Sequence, residues 1–509
     1  MRPLLLLPIL AAVLPLAAAT DIGSRRELLV DDFLIERLGG GAQQRLHHPE
    51  PKEVVLVHDA PWEGSGSGYH SVFQDGDRYR MYYKAWQLTV TPEGKVNTGA
   101  HPLFCCYAES TDGIRWTKPE LGLHEFRGSK ANNIVIPHGP MGAVNPDGGH
   151  PAVFKDENPA APADARYKAI VRSNKPHGLL ALKSADGLRW SPMADAPVIT
   201  EGAFDSQNLA FWDGHSGVYR AYWRYFTGGV TEEKNWKPTG DRAIRTATSK
   251  DFLHWENVEN LRYTDSPEEQ LYTNQVKPYA RAPHLLLGFP TRYVERGWSS
   301  STRALPEREH REARSKASDR YGMAITEGLF MASRDGVTFK RWNEAFLRPG
   351  PERPGTWNYG HQYVAWHPVI TKSALDGAPD ELSFYATENY WTDTSSAVRR
   401  YTLRLDGFVS VHAPLSGGEL LTKPLTFSGK ILSLNFASSA AGGVRVEIQD
   451  ADGKPMPGYR LDEAEEQFGD SIERGVVWKG GSDVSALAGR PVRLRFVLRD
   501  ADVYAFHFQ

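Results

Sequence analysis

A short motif that recurs along the chain is the feature that most constrains its fold. The motif reads Ser-x-Asp-Gly-x-x-Trp, with single departures in the third and fourth copies, and its aspartates are Asp112, Asp186, Asp251 and Asp335, with a degenerate copy at Asp406. These aspartates are 74, 65, 84 and 71 residues apart. Asp-Gly between alternating apolar runs is a strong hairpin signal, and the aromatic residue after it is expected to pack between neighbouring sheets.

Each motif follows a short strand, a tight turn and an aromatic-rich strand, as in residues 71–75 and 79–83. Four strands in each repeat is the composition of a propeller blade. The sequence therefore predicts an all-β fold, with a five-bladed β-propeller over residues 20–408. We expect residues 26–35 to supply the strand that closes the ring, because an open sheet edge favours aggregation. The alternative is that Asp31-Asp32 is catalytic.

Two regions depart from the repeat. Residues 299–319 are charged and poor in apolar residues, which predicts a mobile surface insertion in blade four. After Gly407 the blade pattern stops, and short alternating segments lie between turns rich in Gly and Asp. The sequence therefore predicts a separate C-terminal β-sandwich over residues 409–509.

The first residues have the pattern of a targeting segment. Met1-Arg2 is followed by an apolar run up to Leu16 and by three alanines, which predicts a signal peptide over residues 1–19 and a secreted or periplasmic protein. The alternative is an uncleaved anchor. No later segment has the length of a membrane span, so we expect no membrane contact after cleavage.

Charge and cysteine usage exclude several function classes. The chain has 59 Lys and Arg against 62 Asp and Glu, a net charge of −3, which gives no support for nucleic-acid binding. Its two cysteines, Cys105 and Cys106, are adjacent, so on a strand they point to opposite faces and are not expected to form a disulfide. No spacing indicates a metal site, and we expect no cofactor.

One face of a propeller collects the first residues of the inner strands and the last residues of the second strands. Four of the five second strands are expected to end in a cation. These positions are Lys84, Arg172, Arg224, Arg292 and, in blade five, Glu388. Four cations around one mouth favour an anionic ligand, because guanidinium groups bind carboxylates and sulfates through paired hydrogen bonds. The alternative is a solvated rim.

The inner strands begin with polar residues that we expect to contact substrate. They are His70, His150, Gln207, Asn208, Asn274 and His361. For His70 and His150 the alternative is a core histidine bonded to backbone.

Glycosidic cleavage usually needs two carboxylates, and the candidates here are Asp205 and Glu388. A third candidate is Glu269, with Glu268 beside it, just before the inner strand of blade four. The alternatives are a turn cap or an arginine partner for Asp205, an ion pair for Glu388, and a solvated loop for Glu268 and Glu269.

With these features the chain resembles the five-bladed propeller glycosidases of glycoside hydrolase families 32, 43 and 68. The layout is closest to family 32, whose members carry Asp at the start of blade one, Asp-Pro on blade two and Glu on blade three. Asp205 falls where that Glu would be. His150-Pro151 stands in place of Asp-Pro, and His70 stands where blade one would carry its Asp, with Glu63 the nearest acid. The chain also resembles a group of secreted bacterial proteins that share its Val-Asp-Asp-Phe-Leu-Ile-Glu segment and the stretch from Arg281 to His284.

The resemblance implies a secreted glycoside hydrolase that acts on an acidic or sulfated glycan, with Asp205 and Glu388 as the acid/base pair. Two of the three family acids are missing, so a glycan-binding propeller without catalysis is the alternative. The Asp-Gly hairpins also resemble sialidase Asp-boxes, and the arginines would suit a sialic-acid carboxylate. Sialidases have six blades, which counts against that second alternative.

Overall fold

The computed structural model describes residues 19–232 and 234–509, so the predicted signal peptide lies almost wholly outside the described residues. The described chain forms two compact units. Residues 46–408 make up the larger unit, and residues 19–45 together with 409–509 make up the smaller one. Within the described residues, no helix has the length and apolar character needed to cross a bilayer.

The larger unit is a five-bladed β-propeller, as predicted, and each blade is a mainly antiparallel sheet. Blade one contains Gly68–Asp75, Arg78–Ala85, Phe104–Ser110 and Ile134–Ile136. Blade two contains Ala152–Lys155, Tyr167–Asn174, His177–Ser184 and Ser191–Pro192. Blade three contains Leu209–Asp213, Val218–Glu232, Asn235–Ser249 and Glu256–Asn260. Blade four contains Lys277–Tyr279, Ala282–Gly288, Met331–Ser333 and Thr338–Arg341, with Arg262–Thr264 added in parallel. Blade five contains Val369–Thr371, Glu381–Glu388, Ala397–Arg404 and Glu50–Val57.

The strand that completes blade five is Glu50–Val57, which pairs with Ala397–Arg404. The prediction that residues 26–35 close the ring is therefore wrong. Glu27–Leu28 pairs instead with Val492–Phe508, in the smaller unit. The physical reason is burial: Leu29 and Leu34 belong to the hydrophobic core of that smaller unit. Asp31 lies there too and accepts a hydrogen bond from the backbone of Phe33.

The recurring motif forms the same turn in blades one to four. In the first copy Asp112 accepts hydrogen bonds from the backbone N–H groups of Ile114 and Arg115, and Ser110 accepts one from Gly113. Gly113 has a φ of +73°, which L residues rarely adopt. The motif aromatics contact tyrosines of the preceding blade, as the ring centroid distances show: Trp116 to Tyr385 at 5.7 Å, Trp190 to Tyr82 at 6.4 Å and Phe339 to Tyr222 at 6.2 Å. The predicted packing between blades is thus confirmed for these copies.

Two buried glutamines link the inner strands. The Gln207 side-chain amide donates to the backbone carbonyls of Tyr69 and Pro151. The Gln275 amide donates to Gln207 Oε1 and to the carbonyl of Val364, both at 2.7 Å. Hydrogen bonds stabilise buried polar groups, and the bonds donated by these two amides join the inner strands of all five blades.

Blade four carries an insertion of three helices, Ser300–Ala304, Arg308–Ala317 and Asp319–Met323, beside a two-stranded ribbon of Thr291–Glu295 and Ala324–Gly328. The expectation of a mobile surface segment is not supported, because Arg311 and Arg314 are fully buried. Arg311 donates to three backbone carbonyls, and Arg314 donates to the carbonyl of Trp391 and to Asn358. The guanidinium donors thereby dock a charged segment onto the propeller.

The smaller unit is also built of strands, mainly antiparallel. They are Thr20–Gly23, Glu27–Leu28, Ile35–Gly40, Gln43–Leu46, Val409–Ala413, Gly418–Thr422, Leu425–Phe427, Leu432–Asp450, Asp470–Gly475 and Val492–Phe508. The two longest, Leu432–Asp450 and Val492–Phe508, pair along most of their length and provide much of its apolar core. The sequence assigned residues 409–509 alone to this unit, and the structure adds residues 19–45.

Candidate functional site

Tyrosine side chains from several blades meet at the start of the inner strands. The rings of Tyr69, Tyr363 and Tyr272 form a continuous stack, with centroids 5.5 Å apart at both steps. Tyr390 lies 5.5 Å from Tyr363, and the hydroxyls of Tyr272 and Tyr359 are 3.0 Å apart. All five are nearly buried. The sequence analysis did not assign these tyrosines to the site.

The backbone at this place is strained. Tyr69, Gln275 and Gln362 have φ values of 54°, 48° and 58°, although none is a glycine. Such conformations cost free energy and persist where the surrounding structure enforces them, often at functional sites. The strain therefore marks the same region as the tyrosine stack.

Beside the stack, two carboxylates are held by one histidine and one arginine. Asp147 Oδ2 lies 3.0 Å from His150 Nδ1 and 2.7 Å from Arg172 Nε. Asp205 Oδ1 lies 3.2 Å from His150 Nε2 and 3.1 Å from Arg172 Nη1. His150 and Arg172 therefore bridge the two acids. Of the predicted site residues, the structure brings Asp205, His150 and Arg172 together in this cluster.

The two carboxylates differ in exposure. The side chain of Asp205 is 63% exposed, whereas that of Asp147 is 1% exposed. Desolvation acts to raise the pKa of Asp205, but the His150 hydrogen bond and the Arg172 and Arg224 charges hold that pKa well below its usual range. Burial acts likewise on Asp147, and His150 and Arg172 again lower the pKa. Both acids are therefore ionised at neutral pH, and Asp205 is the one that a ligand can reach.

Asp147 was missed in the sequence. It lies in a Gly-rich stretch just before the inner strand of blade two, three residues ahead of His150. The signal that could have identified it was an acid close to the place where the resembling family carries Asp-Pro.

Two buried cations, Lys84 and Arg224, flank the tyrosine stack. Lys84 Nζ lies 4.4 Å from the centroid of Tyr69 and donates to the Tyr390 hydroxyl at 3.0 Å. Burial lowers the pKa of Lys84 to about 7. At the other end, the Arg224 guanidinium lies 4.7 Å from the centroid of Tyr272. Arg224 Nε donates to the carbonyl of Ala203, while its buried Nη1 has no hydrogen-bond partner among the described residues.

Glu388 does not belong to this cluster. Its side chain is 2% exposed and forms ion pairs with both Arg353 and Arg399. Among the contacts of the described residues, none joins Glu388 to Asp205. The two arginines also hold the pKa of Glu388 below its usual range, against the effect of burial, so it is not a proton donor. The proposed acid/base pair is therefore corrected, and the ion-pair alternative is the one observed.

Glu269 and Arg292 are likewise paired with each other, at 2.9 Å. Arg292 also binds Glu327, and Glu269 also binds Arg341. These ion pairs neutralise both residues, so the predicted roles in catalysis and anion binding are not supported.

Five other predicted binding residues are part of the scaffold, because each is at most 1% exposed. His70 Nε2 lies 3.2 Å from His58 Nε2, and burial lowers the pKa of His70 to about 3. His361 accepts the backbone N–H of Trp357, and burial lowers its pKa to about 3 as well. Gln207, Asn208 and Asn274 donate to backbone carbonyls. The reading of His70 as a core histidine is the correct one.

The helical insertion covers part of the tyrosine cluster. The ring of Tyr321 lies 4.8 Å from Trp391 and 6.1 Å from Tyr359. Lys316, in the same insertion, donates to the carbonyl of Pro92 in the loop after the second strand of blade one. The insertion thus covers this side of the tyrosine cluster, while Asp205 remains accessible.

The arrangement combines an ionised, exposed carboxylate, two buried cations and aromatic walls. Such a pocket can bind a polar ligand that has apolar faces and an anionic group. Among residues 19–232 and 234–509, no cluster of three or more His, Cys, Asp or Glu side chains has a geometry that could hold a metal ion.

No protein-family model matches this chain, and no curated protein matches it. Similar solved structures include glycoside hydrolases, as the resemblance predicted. One is the catalytic domain of a GH62 α-L-arabinofuranosidase from Coprinopsis cinerea, with 10% identity and a TM-score of 0.41 over 70% of this chain and 97% of that one. An endo-arabinase from Bacteroides thetaiotaomicron has 10% identity and a TM-score of 0.38 over 69% and 98%. An N-acetylgalactosamine deacetylase from F. plautii has 11% identity and a TM-score of 0.39 over 71% and 95%. At these identities and TM-scores, the function of this chain has to follow from its own site.

Proposed function

We propose that this protein hydrolyses glycosidic bonds of an acidic glycan in the pocket around Asp205. The observation that carries the proposal is an exposed, ionised carboxylate next to a buried guanidinium, Arg224, whose Nη1 is unpaired among the described residues. An unpaired buried donor costs free energy, which an anionic group of the ligand would recover.

In this mechanism Asp205 either attacks the anomeric carbon or removes a proton from the attacking water. His150 and Arg172 fix its orientation, and Asp147 holds His150 from the other side. Arg224 binds the carboxylate or sulfate of the glycan. The tyrosine rings pack against the sugar.

The departing sugar oxygen needs a proton, and neither Asp147 nor Asp205 can supply it because both are ionised. We assign that role to the Lys84 ammonium, which is hydrogen-bonded to the Tyr390 hydroxyl. Its pKa of about 7 suits a group that must give and regain a proton near neutral pH. The proton passes to the glycosidic oxygen as the C–O bond breaks. If Asp205 attacks the anomeric carbon, the water that hydrolyses the glycosyl ester gives its proton to the neutral Lys84 amine. If Asp205 instead removes the proton from the attacking water, that proton leaves Asp205 for solvent, and Lys84 regains one from solvent.

The predicted signal peptide adds a location to this proposal. If residues 1–19 direct export, the enzyme acts outside the cytoplasm, on polysaccharide in the surroundings of the cell.

The test is a panel of uronic-acid and sulfated polysaccharides assayed for reducing-end release, with wild type and Asp205→Asn side by side. We expect one substrate class to be cleaved by the wild type alone. Equal release by Asp205→Asn would contradict the catalytic assignment.

A second candidate function is glycan binding without catalysis. It is favoured by the ion pairs of Glu388 and Glu269, which leave the pocket with a single exposed carboxylate. Tight binding of an acidic glycan by the wild type, with no cleavage of any member of the panel, would support it.

A further inference from the structure

Blade three carries an arm that the other blades lack. Its second and third strands, Val218–Glu232 and Asn235–Ser249, have 15 residues each, whereas its inner and outer strands have five each. The inner strand pairs only with residues 218–222, and the outer strand pairs with residues 245–248. Residues 223–232 and 234–244, the blade-three arm, therefore project beyond the sheet. A two-stranded ribbon is marginally stable by itself, so the arm depends on its side-chain contacts.

The base of the arm is a wall of the pocket. Arg224 belongs to it, and the Phe226 ring lies between Arg224 and Arg242, at 5.5 Å and 5.4 Å from their guanidinium carbons. Arg242 also lies 4.4 Å from the centroid of Tyr293, beside the tyrosine stack. The arm therefore starts at the substrate pocket and extends outward from it.

Further along the arm, Trp236 is 45% exposed, and it is the only exposed aromatic side chain among the described residues of the propeller. Its ring lies edge-to-face against His177, at 6.0 Å, and against Phe226, at 6.5 Å. His177 in turn lies 4.9 Å from Phe204, the residue before Asp205. These contacts form a continuous path from Trp236 to the loop that holds the exposed carboxylate.

We propose that Trp236 is a platform for a sugar ring of the same glycan, one or more units away from the ring bound at Asp205. The apolar face of a pyranose covers an indole well, and an indole held by two neighbouring rings loses little entropy on binding. The occupant is thus a further sugar of the substrate chain. This inference rests on the proposed function and refines it: the substrate is an oligosaccharide or polysaccharide that runs along blades two and three.

The experiment compares Trp236→Ala with the wild type on uronic-acid oligosaccharides, from disaccharide to octasaccharide. The expected result is a loss of kcat/KM of roughly 3- to 10-fold on the longer members, the effect of losing one aromatic contact, and no change on the disaccharide. Trp236→Phe keeps an aromatic ring at this position, so its loss of kcat/KM on the longer members should be smaller. Leu375→Ala removes an exposed apolar side chain from blade five and is the matched control, which should change nothing.

Binding separates this inference from the proposed hydrolysis. The same oligosaccharides are titrated by calorimetry into Asp205→Asn and into the double variant with Trp236→Ala, with thermal melting to verify that both are folded. A length-dependent loss of affinity in the double variant supports the platform, even if the wild type cleaves nothing. An equal affinity at every length, or an equal loss at every length, overturns the platform and leaves the role of Asp205 to be judged from turnover.

Discussion

Asp205 and Glu388 are both carboxylates held by arginine on the same propeller, yet one is 63% exposed and the other 2%. Asp205 shares its arginine with a second acid and a histidine, so its outer surface stays open to a ligand. The carboxylate of Glu388 forms ion pairs with two guanidinium groups, and these occupy both of its oxygens. Arginine neighbours thus say little about function until exposure is known.

Two arginines that the repeat predicts at the ends of second strands, Arg292 and Arg224, also differ in whether a carboxylate neutralises them. Arg292 in blade four is paired with Glu269 and Glu327, whereas Arg224 in blade three contacts a carbonyl and aromatic rings. Blade three therefore presents an arginine without a carboxylate partner among the described residues, whereas the arginines of blades two and four are neutralised by carboxylates. Each prediction below changes one member of a pair and uses the other as its control.

The largest effect is expected for Asp205→Asn. Turnover of the acidic glycan should fall by roughly 10³-fold or more, because the amide can neither attack nor take a proton. Glycan affinity by calorimetry should stay close to that of the wild type. Glu388→Gln, assayed as folded protein, should keep its turnover, and a loss as large as that of Asp205→Asn would reverse the comparison.

Arg224→Ala should weaken glycan binding by about 2 to 5 kcal/mol, the cost of removing one partner from a buried charged pair. Titration calorimetry measures this directly. Arg292→Ala is the matched control, since its guanidinium is already neutralised, and its glycan affinity should not change. Equal losses in the two variants would indicate a general positive rim rather than a specific anion contact.

Glu388→Gln should act on stability instead. We expect the free energy of unfolding to fall by about 1 to 3 kcal/mol, because Arg353 and Arg399 lose a charged partner but are themselves partly exposed. Urea denaturation of the variant against Asp205→Asn measures the difference. A drop that is as large in Asp205→Asn would mean that both clusters are structural.

The smallest expected effect is the pH dependence that comes from Lys84. Activity should decline as pH rises through about 7, because burial lowers the pKa of Lys84 to that value and the donor loses its proton. Asp205 should add no acid limb near its usual pKa, since that pKa is held well below it. A pH–rate profile that stays level through pH 9 would rule out Lys84 as the donor.

The same group gives a stability signature of known sign. Between about pH 7 and its ordinary pKa of 10.5, Lys84 is neutral in the folded protein and protonated in the unfolded chain. The unfolded state binds more protons there, so stability from this group increases with pH across that window. In Lys84→Met this contribution to the free energy of unfolding is absent. Denaturation curves of the wild type and the variant, measured below and above pH 7, should show a rise that only the wild type has.

The blades could be predicted because their signal is local: each repeat contains its own turn, its own alternation and its own packing aromatic. The closing strand was missed because Glu50–Val57 is polar and contains a proline, as edge strands do, whereas residues 26–35 are more apolar. In that case hydrophobicity indicated burial in the smaller unit and not a place in the ring.

The site was predicted less completely, for a related reason. Repeat position identified Asp205, Arg224 and Lys84, because backbone register decides which end of a blade they occupy. It could not show which charges are already neutralised, as for Glu388, since that depends on contacts between residues far apart in sequence. The burial of Arg311 and Arg314 could not be predicted either, because composition does not show which backbone carbonyls lie close enough to accept hydrogen bonds from an arginine.

The strand that closes the ring has a consequence for how the chain becomes a protein. Arg400 binds Glu53, which lies 347 positions earlier in the sequence, so the first strand of the propeller to be synthesised pairs with the last one. During synthesis, blade five cannot be completed until its third strand, Ala397–Arg404, has emerged from the ribosome. Until then an unsealed edge is open to unwanted pairing. Deletion of either Glu50–Val57 or Ala397–Arg404 should therefore do more than remove one strand: the five blades should no longer unfold in one cooperative transition.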